Sequence, residues 1–230
     1  MSPRPTVLVA GNKRRMTPVH LVVVATMVLA GLAGCGTSRL TGEGPVQSET
    51  RTADAFTRIE VSGGIGVTVR IDPTQALEVS AQENILPVIA TAVEGDTLRI
   101  RSTESYNTSE GVEVAVDTPA LVGISMSGGS QGRMEGLDAE RLDIELSGGA
   151  GVTATGTATS VALNMTGGSR ASLENLTATT ITLDLSGGTT ATVQASDRVS
   201  GSASGGSRVW VLGDPQLNVE VSGGGEVKRD

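Results

Sequence analysis

Apolar and polar residues alternate along most of the chain after residue 121. In one run, Leu142, Ile144 and Leu146 alternate with Asp143 and Glu145. The same three apolar positions return in the other runs at Val122, Ile124 and Met126; Val161, Leu163 and Met165; Ile181, Leu183 and Leu185; Val199, Gly201 and Ala203; and Leu217, Val219 and Val221. A period of two residues over five or six positions predicts β-strands with one buried face.

Each alternating run ends in the tripeptide Ser/Thr-Gly-Gly. The copies begin at Ser127, Ser147, Thr166, Ser186, Ser204 and Ser222, so the steps between them are 20, 19, 20, 18 and 18 residues. A nearly constant period of this length indicates structural units that stack as a solenoid. One repeat is typical of a coil of a parallel β-helix, in which equivalent strands lie about 4.8 Å apart. The Gly-Gly pairs are expected at a crowded corner, where a Cβ would not fit.

A second alternation follows each Gly-Gly pair. Its apolar residues fall at equivalent places, at Val152 and Ala154, Ala171 and Leu173, Ala191 and Val193, and Val209 and Val211. A second turn with positive φ is expected nine residues after the Ser/Thr, at Gly136, Gly156, Asn175 and Gly213. The Ser/Thr hydroxyls that precede the glycines are expected to form a ladder that caps the corner through hydrogen bonds to the backbone.

Residues 56–120 match the repeat only at their start. Ser62-Gly63-Gly64 reproduces the tripeptide, but the next copy begins 65 residues later. We expect residues 56–120 to form the first coil and an enlarged β-rich cap, because a solenoid needs its terminal edge covered. The repeat coils then occupy residues 121–230. Residues 103–111 form a polar loop that carries Tyr106.

The first 34 residues have the features of a bacterial lipoprotein signal peptide. Three basic residues at 13–15 precede the apolar stretch Leu21–Gly34, whose 14 residues are fewer than the roughly 20 that a membrane-spanning helix needs. Leu32-Ala33-Gly34-Cys35 matches the lipobox and predicts lipidation of Cys35, although an ordinary signal peptide with an incidental cysteine is the alternative. Residues 35–55 are then the lipidated cysteine and a flexible tether. The expected location is the extracytoplasmic side of the cell membrane or the outer membrane.

Charge and composition limit the chemistry of the mature chain. The sequence holds 17 basic and 25 acidic residues, and four of the basic ones precede Cys35, which leaves a net charge of −12. Nucleic acid is therefore an unfavourable partner. The single His20 lies in the signal peptide, and Lys228 is the one lysine after it. These residues argue against a histidine-based triad, a thiolate or imidazole metal site and a P-loop, so we expect no enzyme activity, no cofactor and no metal.

The chain resembles the head GIN domain family, which carries an autotransporter adhesin label. The resemblance rests on Ile59–Val67, Asn84–Leu86, Gly95–Ile100 and Thr118–Leu121, and it extends over about residues 53–230. It implies a right-handed parallel β-helix in a bacterial envelope protein, in many members a lipoprotein. It assigns no biochemical function. Gly64-Ile65-Gly66 stands where the family name implies Gly-Ile-Asn.

The sequence leaves two main functional classes open. The first is a non-catalytic module that binds a surface polymer or protein through a solenoid face. The alternative is a carbohydrate-active enzyme, because Glu145, Asn164 and Asp184 share one outward repeat position. Glu145 and Asp184 would then stand two coils, or about 10 Å, apart, near the wide limit for an inverting carboxylate pair. Metal binding is disfavoured because the Gly-Gly pairs lack the following Asp of the calcium-binding nonapeptide repeat, and ice binding is disfavoured because the outward threonines form no regular array.

Two aromatic residues are the predicted contact residues. Trp210 alternates with the core positions Val209 and Val211 and should therefore point outward. Tyr106 lies in the least repetitive loop. Exposed aromatic side chains supply much of the affinity of protein surfaces, so we expect Trp210 and Tyr106 to contact an envelope polysaccharide, a protein partner or a second subunit.

Overall fold

The computed structural model describes residues 39–229, which form an all-β protein. The predicted signal peptide and Cys35 lie outside the described residues. Most of the described chain winds into a β-solenoid of about five turns, which confirms the predicted fold class. Between residues 39 and 229, the helical structure is one short 3₁₀ turn, Leu86–Val88, and no helix there is long and apolar enough to cross a membrane.

The N-terminal part contains nine short strands. They are β1 (Leu40–Thr41), β2 (Val46–Thr50), β3 (Arg58–Val61), β4 (Gly66–Ile71), β5 (Ala76–Gln82), β6 (Ile89–Glu94), β7 (Thr97–Ser102), β8 (Tyr106–Asn107) and β9 (Glu113–Thr118).

The repeat region contains longer strands followed by three short ones. They are β10 (Gly123–Met126), β11 (Gln131–Leu146), β12 (Gly151–Met165), β13 (Arg170–Leu185), β14 (Thr190–Ala203), β15 (Arg208–Leu212), β16 (Gln216–Val221) and β17 (Glu226–Arg229).

The solenoid has two sheet faces, which the Gly-Gly corners separate. Face A stacks β9, β4, the first halves of β11 to β14, β15 and β17; face B stacks β7, β3, β10, the second halves of β11 to β14, and β16. All these pairings are parallel. Each long strand therefore belongs to both faces, because it crosses from one to the other partway along its length.

The register of face B agrees with the alignment predicted from the repeats. Leu142 pairs with Val161, which pairs with Ile181. All three side chains are buried, as are the equivalent residues two and four positions further on in β11, β12 and β13. Apolar side chains thus stack on one another from coil to coil and build a continuous core. Removal of their apolar surface from water stabilises the fold.

The Gly-Gly corners are crowded at their first glycine, as the repeat predicts, whereas a Cβ at the second, such as Gly168, would lie at ordinary contact distance. Gly167 has a φ of +72°, and a Cβ there would lie 2.9 Å from the carbonyl oxygen of Gly148 in the coil before. The next amide, that of Gly168, donates to the same oxygen at 2.7 Å. Close stacking and a left-handed backbone conformation therefore both require glycine at the first position of the pair.

The second turn agrees with the prediction at the glycines and differs from it at Asn175. Gly136, Gly156 and Gly213 have φ values of +71°, +126° and +90°. Asn175 lies inside β13 and has no positive φ. Within the long strands the turn takes the form of a bulge, which shifts the register between Met134 and Leu137 and again between Thr153 and Thr155.

A cap of antiparallel strands covers the N-terminal end, as predicted. β5 pairs with β9 at the edge of face A, and β6 pairs with β7 at the edge of face B. The coil of β3 and β4, which comes first in the chain, is second in the stack, because β7 and β9 pack outside it. Long-range pairing of this kind leaves no period in the sequence.

Part of the segment predicted to be a flexible tether is instead ordered. Residues 46–50 form β2, which pairs antiparallel with β5 and so extends the cap. The guanidinium of Arg51 donates to the carbonyl oxygens of Ile89, at 2.6 Å, and Leu86, at 3.3 Å. The polar composition that favoured a tether is that of an exposed edge strand, whose backbone hydrogen bonds hold it in place.

The hydroxyl of Ser204, which precedes the glycines, donates to the carbonyl oxygen of Leu185 at 3.3 Å, as expected, but the corner otherwise differs from the expected ladder. The buried hydroxyl residues follow the glycines rather than precede them, at Ser130, Ser169, Thr189 and Ser207. Ser169 and Ser207 donate to the carbonyl oxygens of Thr166 and Ser204, at 3.0 and 2.6 Å. The hydroxyls of Ser130 and Thr189 have no partner. A small side chain fits where the chain turns inward, and a hydroxyl can close the turn.

Candidate functional site

One outward column runs along the whole of face B. Neighbouring coils place Glu145, Asn164 and Asp184 in register, as the repeat spacing predicts. The column continues at both ends, from Arg99, Glu60 and Ser125 on one side to Ser202 and Glu220 on the other. Its three central side chains are exposed.

The carboxylates of Glu145 and Asp184 do not share a cleft. Two strand steps separate them, which corresponds to about 10 Å, and Asn164 stands between them. Two shallow depressions, of about 190 and 230 Å³, include Glu145, but Asp184 lines neither. An inverting pair needs its carboxyl groups about 6.5–9.5 Å apart around a bound sugar, so this arrangement favours a solvated surface over a hydrolytic site.

A charged cluster lies beside this column and was not predicted. The guanidinium of Arg58 extends over Gly123, where a Cβ would lie 2.6 Å from its Nη1 atom, and reaches Asp143 at 2.9 Å. Arg141 donates to the other oxygen of Asp143 at 2.8 Å. Burial alone would raise the pKa of Asp143, but the hydrogen bonds from Arg58 and Arg141 outweigh it and lower the pKa below its ordinary value.

The cluster could have been found in the sequence. Arg58, Gly123 and Asp143 all stand four residues before a Ser-Gly-Gly tripeptide, so the repeat spacing places them in one column. Gly123 has no side chain and therefore leaves a gap in this column. A long side chain of one coil can cross a coil that has no side chain and bind the next coil.

Trp210 lies on face A, on the outward side of β15 as predicted. Its register neighbours are Thr192 in β14 and Lys228 in β17. The column continues through Ser172 and Thr153 in the preceding coils. Trp210 is half-buried, with buried Val209 and Val211 on either side of it in the strand. Face A therefore presents one large aromatic side chain at the end of a row of hydroxyl groups.

Tyr106 is more closely tied to the fold than its loop position predicted. Its hydroxyl donates to the carbonyl oxygen of Gly63 at 2.9 Å, and its ring packs against the core. Burial raises the pKa of Tyr106 above its ordinary value. An open depression of about 370 Å³ adjoins it, lined by Arg39, Gly63 and residues 102–106. Because its hydroxyl is bonded and its ring is packed, Tyr106 has little exposed area left for contact with a partner.

Within residues 39–229, no three His, Cys, Asp or Glu side chains group as metal ligands would. Face B carries exposed carboxylates in one column, and face A carries a row of hydroxyls that leads to one indole ring. The fold and these surfaces define a β-solenoid whose outward faces are available for contact over many coils.

Comparison with known families assigns this solenoid to a family. The family model described as "Putative auto-transporter adhesin, head GIN domain" matches residues 55–215. The chain therefore belongs to the head GIN domain family, an adhesin-like family. The comparison with curated proteins gives no significant match.

Solved structures of similar fold include several described as adhesins. A "putative adhesin" from Bacteroides fragilis NCTC 9343 is 20% identical, with a TM-score of 0.65 over 83% of this chain and 100% of the other. One from Parabacteroides merdae ATCC 43184 is 16% identical, with a TM-score of 0.55 over 84% of this chain and 99% of the other. One from Parabacteroides distasonis ATCC 8503 is 15% identical, with the same TM-score over 84% and 100%. At these identities the likeness shows the fold alone.

Proposed function

We propose that this protein is a lipid-anchored adhesin of the bacterial cell envelope, which binds an extended surface polymer or protein without chemical turnover. The observation that carries the proposal is the row of Thr153, Ser172 and Thr192 on face A, which ends at Trp210. Each successive coil adds one residue to the row, about 4.8 Å from the one before. A long ligand therefore meets similar polar groups along the row. The adhesin-like family supports a surface location.

Trp210 is the main contact residue in this proposal. Indole rings combine a large contact area with an N–H donor, and they are over-represented among residues whose truncation weakens binding. The hydroxyl row contributes weaker contacts, and Lys228 supplies one positive charge next to the ring. Tyr106 contributes less, because its hydroxyl is already bonded to Gly63.

The binding proposal is tested with the full-length chain and envelope fractions of the cognate bacterium. Trp210→Ala should lower the affinity by about 2 kcal/mol, or roughly thirtyfold. The matched control is Thr182→Ala, an exposed position on face B, which should bind like the parent. Digestion of the envelope with protease or with glycosidases separates a protein ligand from a polysaccharide. Equal binding by both variants would contradict the role of face A.

The non-catalytic part of the proposal is tested on the carboxylate column. The parent protein should release no sugar or oligosaccharide from envelope or plant polysaccharides. If it does, the double variant Glu145→Gln with Asp184→Asn is compared with the parent. Turnover by the parent that this variant abolishes would establish the enzyme alternative instead.

The lipid anchor is tested at the predicted attachment residue. Cys35→Ser should abolish lipidation, because the sulfur atom is the acceptor. Mass spectrometry of the N-terminal peptide and detergent partitioning measure the change. A variant that matures normally and still partitions into detergent would refute the lipoprotein assignment.

A further inference from the structure

The core of the solenoid is open to solvent at its C-terminal end. Leu217, Val219 and Val221 of β16 occupy the inward positions that are buried in the coils from β11 to β13. In β16, however, Leu217 is 38% exposed and Val221 is 48% exposed. Val46 is the one other large apolar side chain of residues 39–229 with comparable exposure.

The same end presents unpaired backbone groups. β16 pairs with β14 on one side, and β17 pairs with β15 on one side; no other strand of the described chain covers their second edges. Free edges of this kind join strands of other chains unless charge, proline or a bulge protects them. β16 has the sequence QLNVEV, without proline, with its one charged residue, Glu220, on the outward side and with apolar residues at every inward position.

The two ends of the solenoid are poorly matched to each other. β2, the outermost strand of the cap on face A, has the sequence VQSET and is exposed throughout. It runs parallel to the solenoid strands, because β5 lies antiparallel between it and β9, and most of its side chains are polar. On face A, a head-to-tail contact would bury these polar groups against the C-terminal strand β17, at a cost in desolvation. Contact between two C-terminal ends avoids this cost.

We propose that β16 and β17, here called the C-terminal edge, form the interface of a homodimer. Each strand pairs antiparallel with the same strand of a second copy, around a two-fold axis normal to the sheets. This inference goes beyond the adhesin proposal and does not depend on it. Isologous contacts of this kind close after two subunits and therefore give no fibres.

The side chains of the C-terminal edge fit this arrangement. A pairing centred on Val219 sets Leu217 opposite the partner's Val221, so the two apolar columns meet across the axis. A pairing centred on Val227 sets Glu226 opposite the partner's Lys228, and the symmetry repeats this contact. Within one chain Glu226 and Lys228 are already 2.9 Å apart on the outward side. The dimer would form a four-charge network of alternating sign, which is favourable for directly opposed residues.

The experiment is sedimentation equilibrium of the full-length chain in density-matched detergent with micelles in large excess. We expect a reversible dimer. Val219→Lys places like charges opposite each other at the centre of the interface and should raise the dimer dissociation constant by at least about tenfold. Thr182→Lys is the matched control, because it makes the same change of charge on exposed face B. A parent that stays monomeric, or equal dissociation constants for the two variants, would overturn the proposal.

A charge exchange tests the register independently of Val219. Lys228→Glu sets two pairs of carboxylates against each other and should weaken the dimer. Adding Glu226→Lys to the same chain restores opposite charges across the axis, so the double variant should dimerise like the parent. A double variant as weak as Lys228→Glu alone would overturn the antiparallel pairing of β17. Circular dichroism of each variant checks that the solenoid remains folded.

Discussion

The two ends of the solenoid differ in how their sheet edges are covered. At the N-terminal end, antiparallel β5 and β6 cover both faces and keep side chains such as Leu98 fully buried. At the C-terminal end, the inward side chains of β16 are exposed. The comparison shows that repeat spacing alone builds the middle of a solenoid, and that an end needs a segment with a different strand direction or a partner. Four predictions test this difference.

The largest effect is expected from core truncation at each end. Leu98→Ala removes a fully buried side chain beneath the cap and should lower the free energy of unfolding by about 2–5 kcal/mol. Leu217→Ala makes the same change at the C-terminal edge, where 38% of the residue is exposed in the monomer. Its cost should be about 1 kcal/mol in the monomer. Urea unfolding of both variants gives the values, and equal costs would contradict the difference between the ends.

A second comparison uses two corner glycines that have nearly the same φ. Gly187 has a φ of +86° and Gly224 a φ of +85°, so alanine should cost each about 1–2 kcal/mol for conformation alone. A Cβ at Gly187 would also lie 2.7 Å from the carbonyl oxygen of Gly167, whereas no atom lies within 4 Å of one at Gly224. Gly187→Ala should therefore cost at least about 1 kcal/mol more than Gly224→Ala. Thermal unfolding measures both, and the stacked corner would be disproved by equal values.

Arginine side chains hold irregular segments at both ends and give the third comparison. Arg51 is 15% exposed and donates to two backbone carbonyls of the cap. Arg51→Met leaves these acceptors unpaired and should cost about 1.5–3 kcal/mol. Arg229 is 46% exposed and donates to Asp214 and Pro215, so Arg229→Met should cost less than about 1 kcal/mol. Hydrogen exchange of β2 and β6 should increase in the first variant alone.

The smallest effect is expected in the pH dependence of stability. Asp143 has a lowered pKa, so its bonds to Arg58 and Arg141 stabilise the fold above the unfolded pKa of 3.8 and are lost as the pH falls through the lower folded value. The equivalent positions near the C-terminal end are Ser200 and Asn218, which cannot titrate.

The measurement compares Asp143→Asn with the parent at pH 7 and at pH 3. The parent should be more stable at pH 7, by less than about 1 kcal/mol because the arginines are largely exposed. The gap in unfolding free energy between the parent and the variant should become smaller toward pH 3. A gap that widens in acid would show that the carboxylate does not stabilise the fold in its charged form.

Much of the repeat region could be predicted from the sequence. The alternation around Leu142 and its equivalents defines the strands, and the Gly-Gly pairs define the corner and the register. Each of these features is local or repeats at a constant spacing, so a single chain displays it. The column of Glu145, Asn164 and Asp184 followed from the same spacing.

The errors came from contacts that the period does not contain. Residues 46–50 were interpreted as a tether because they are polar, and their pairing with β5 is a long-range contact. Asn175 was assigned to a turn because a glycine occupies that place in other repeats, whereas β13 accommodates an extended residue through a bulge. The bond from Tyr106 to Gly63 joins residues 43 positions apart.

The sequence by itself determined the strand period, the glycine corners and the stacking register, because these depend on side-chain alternation and on the missing Cβ of glycine. The tertiary structure alone decided the order of the first coils, the closure of the N-terminal end and the exposure of the C-terminal edge. Each of these depends on which distant backbone segments share hydrogen bonds, and parallel and antiparallel pairings draw on the same alternating pattern. Strand direction at the ends is therefore a property of the folded chain.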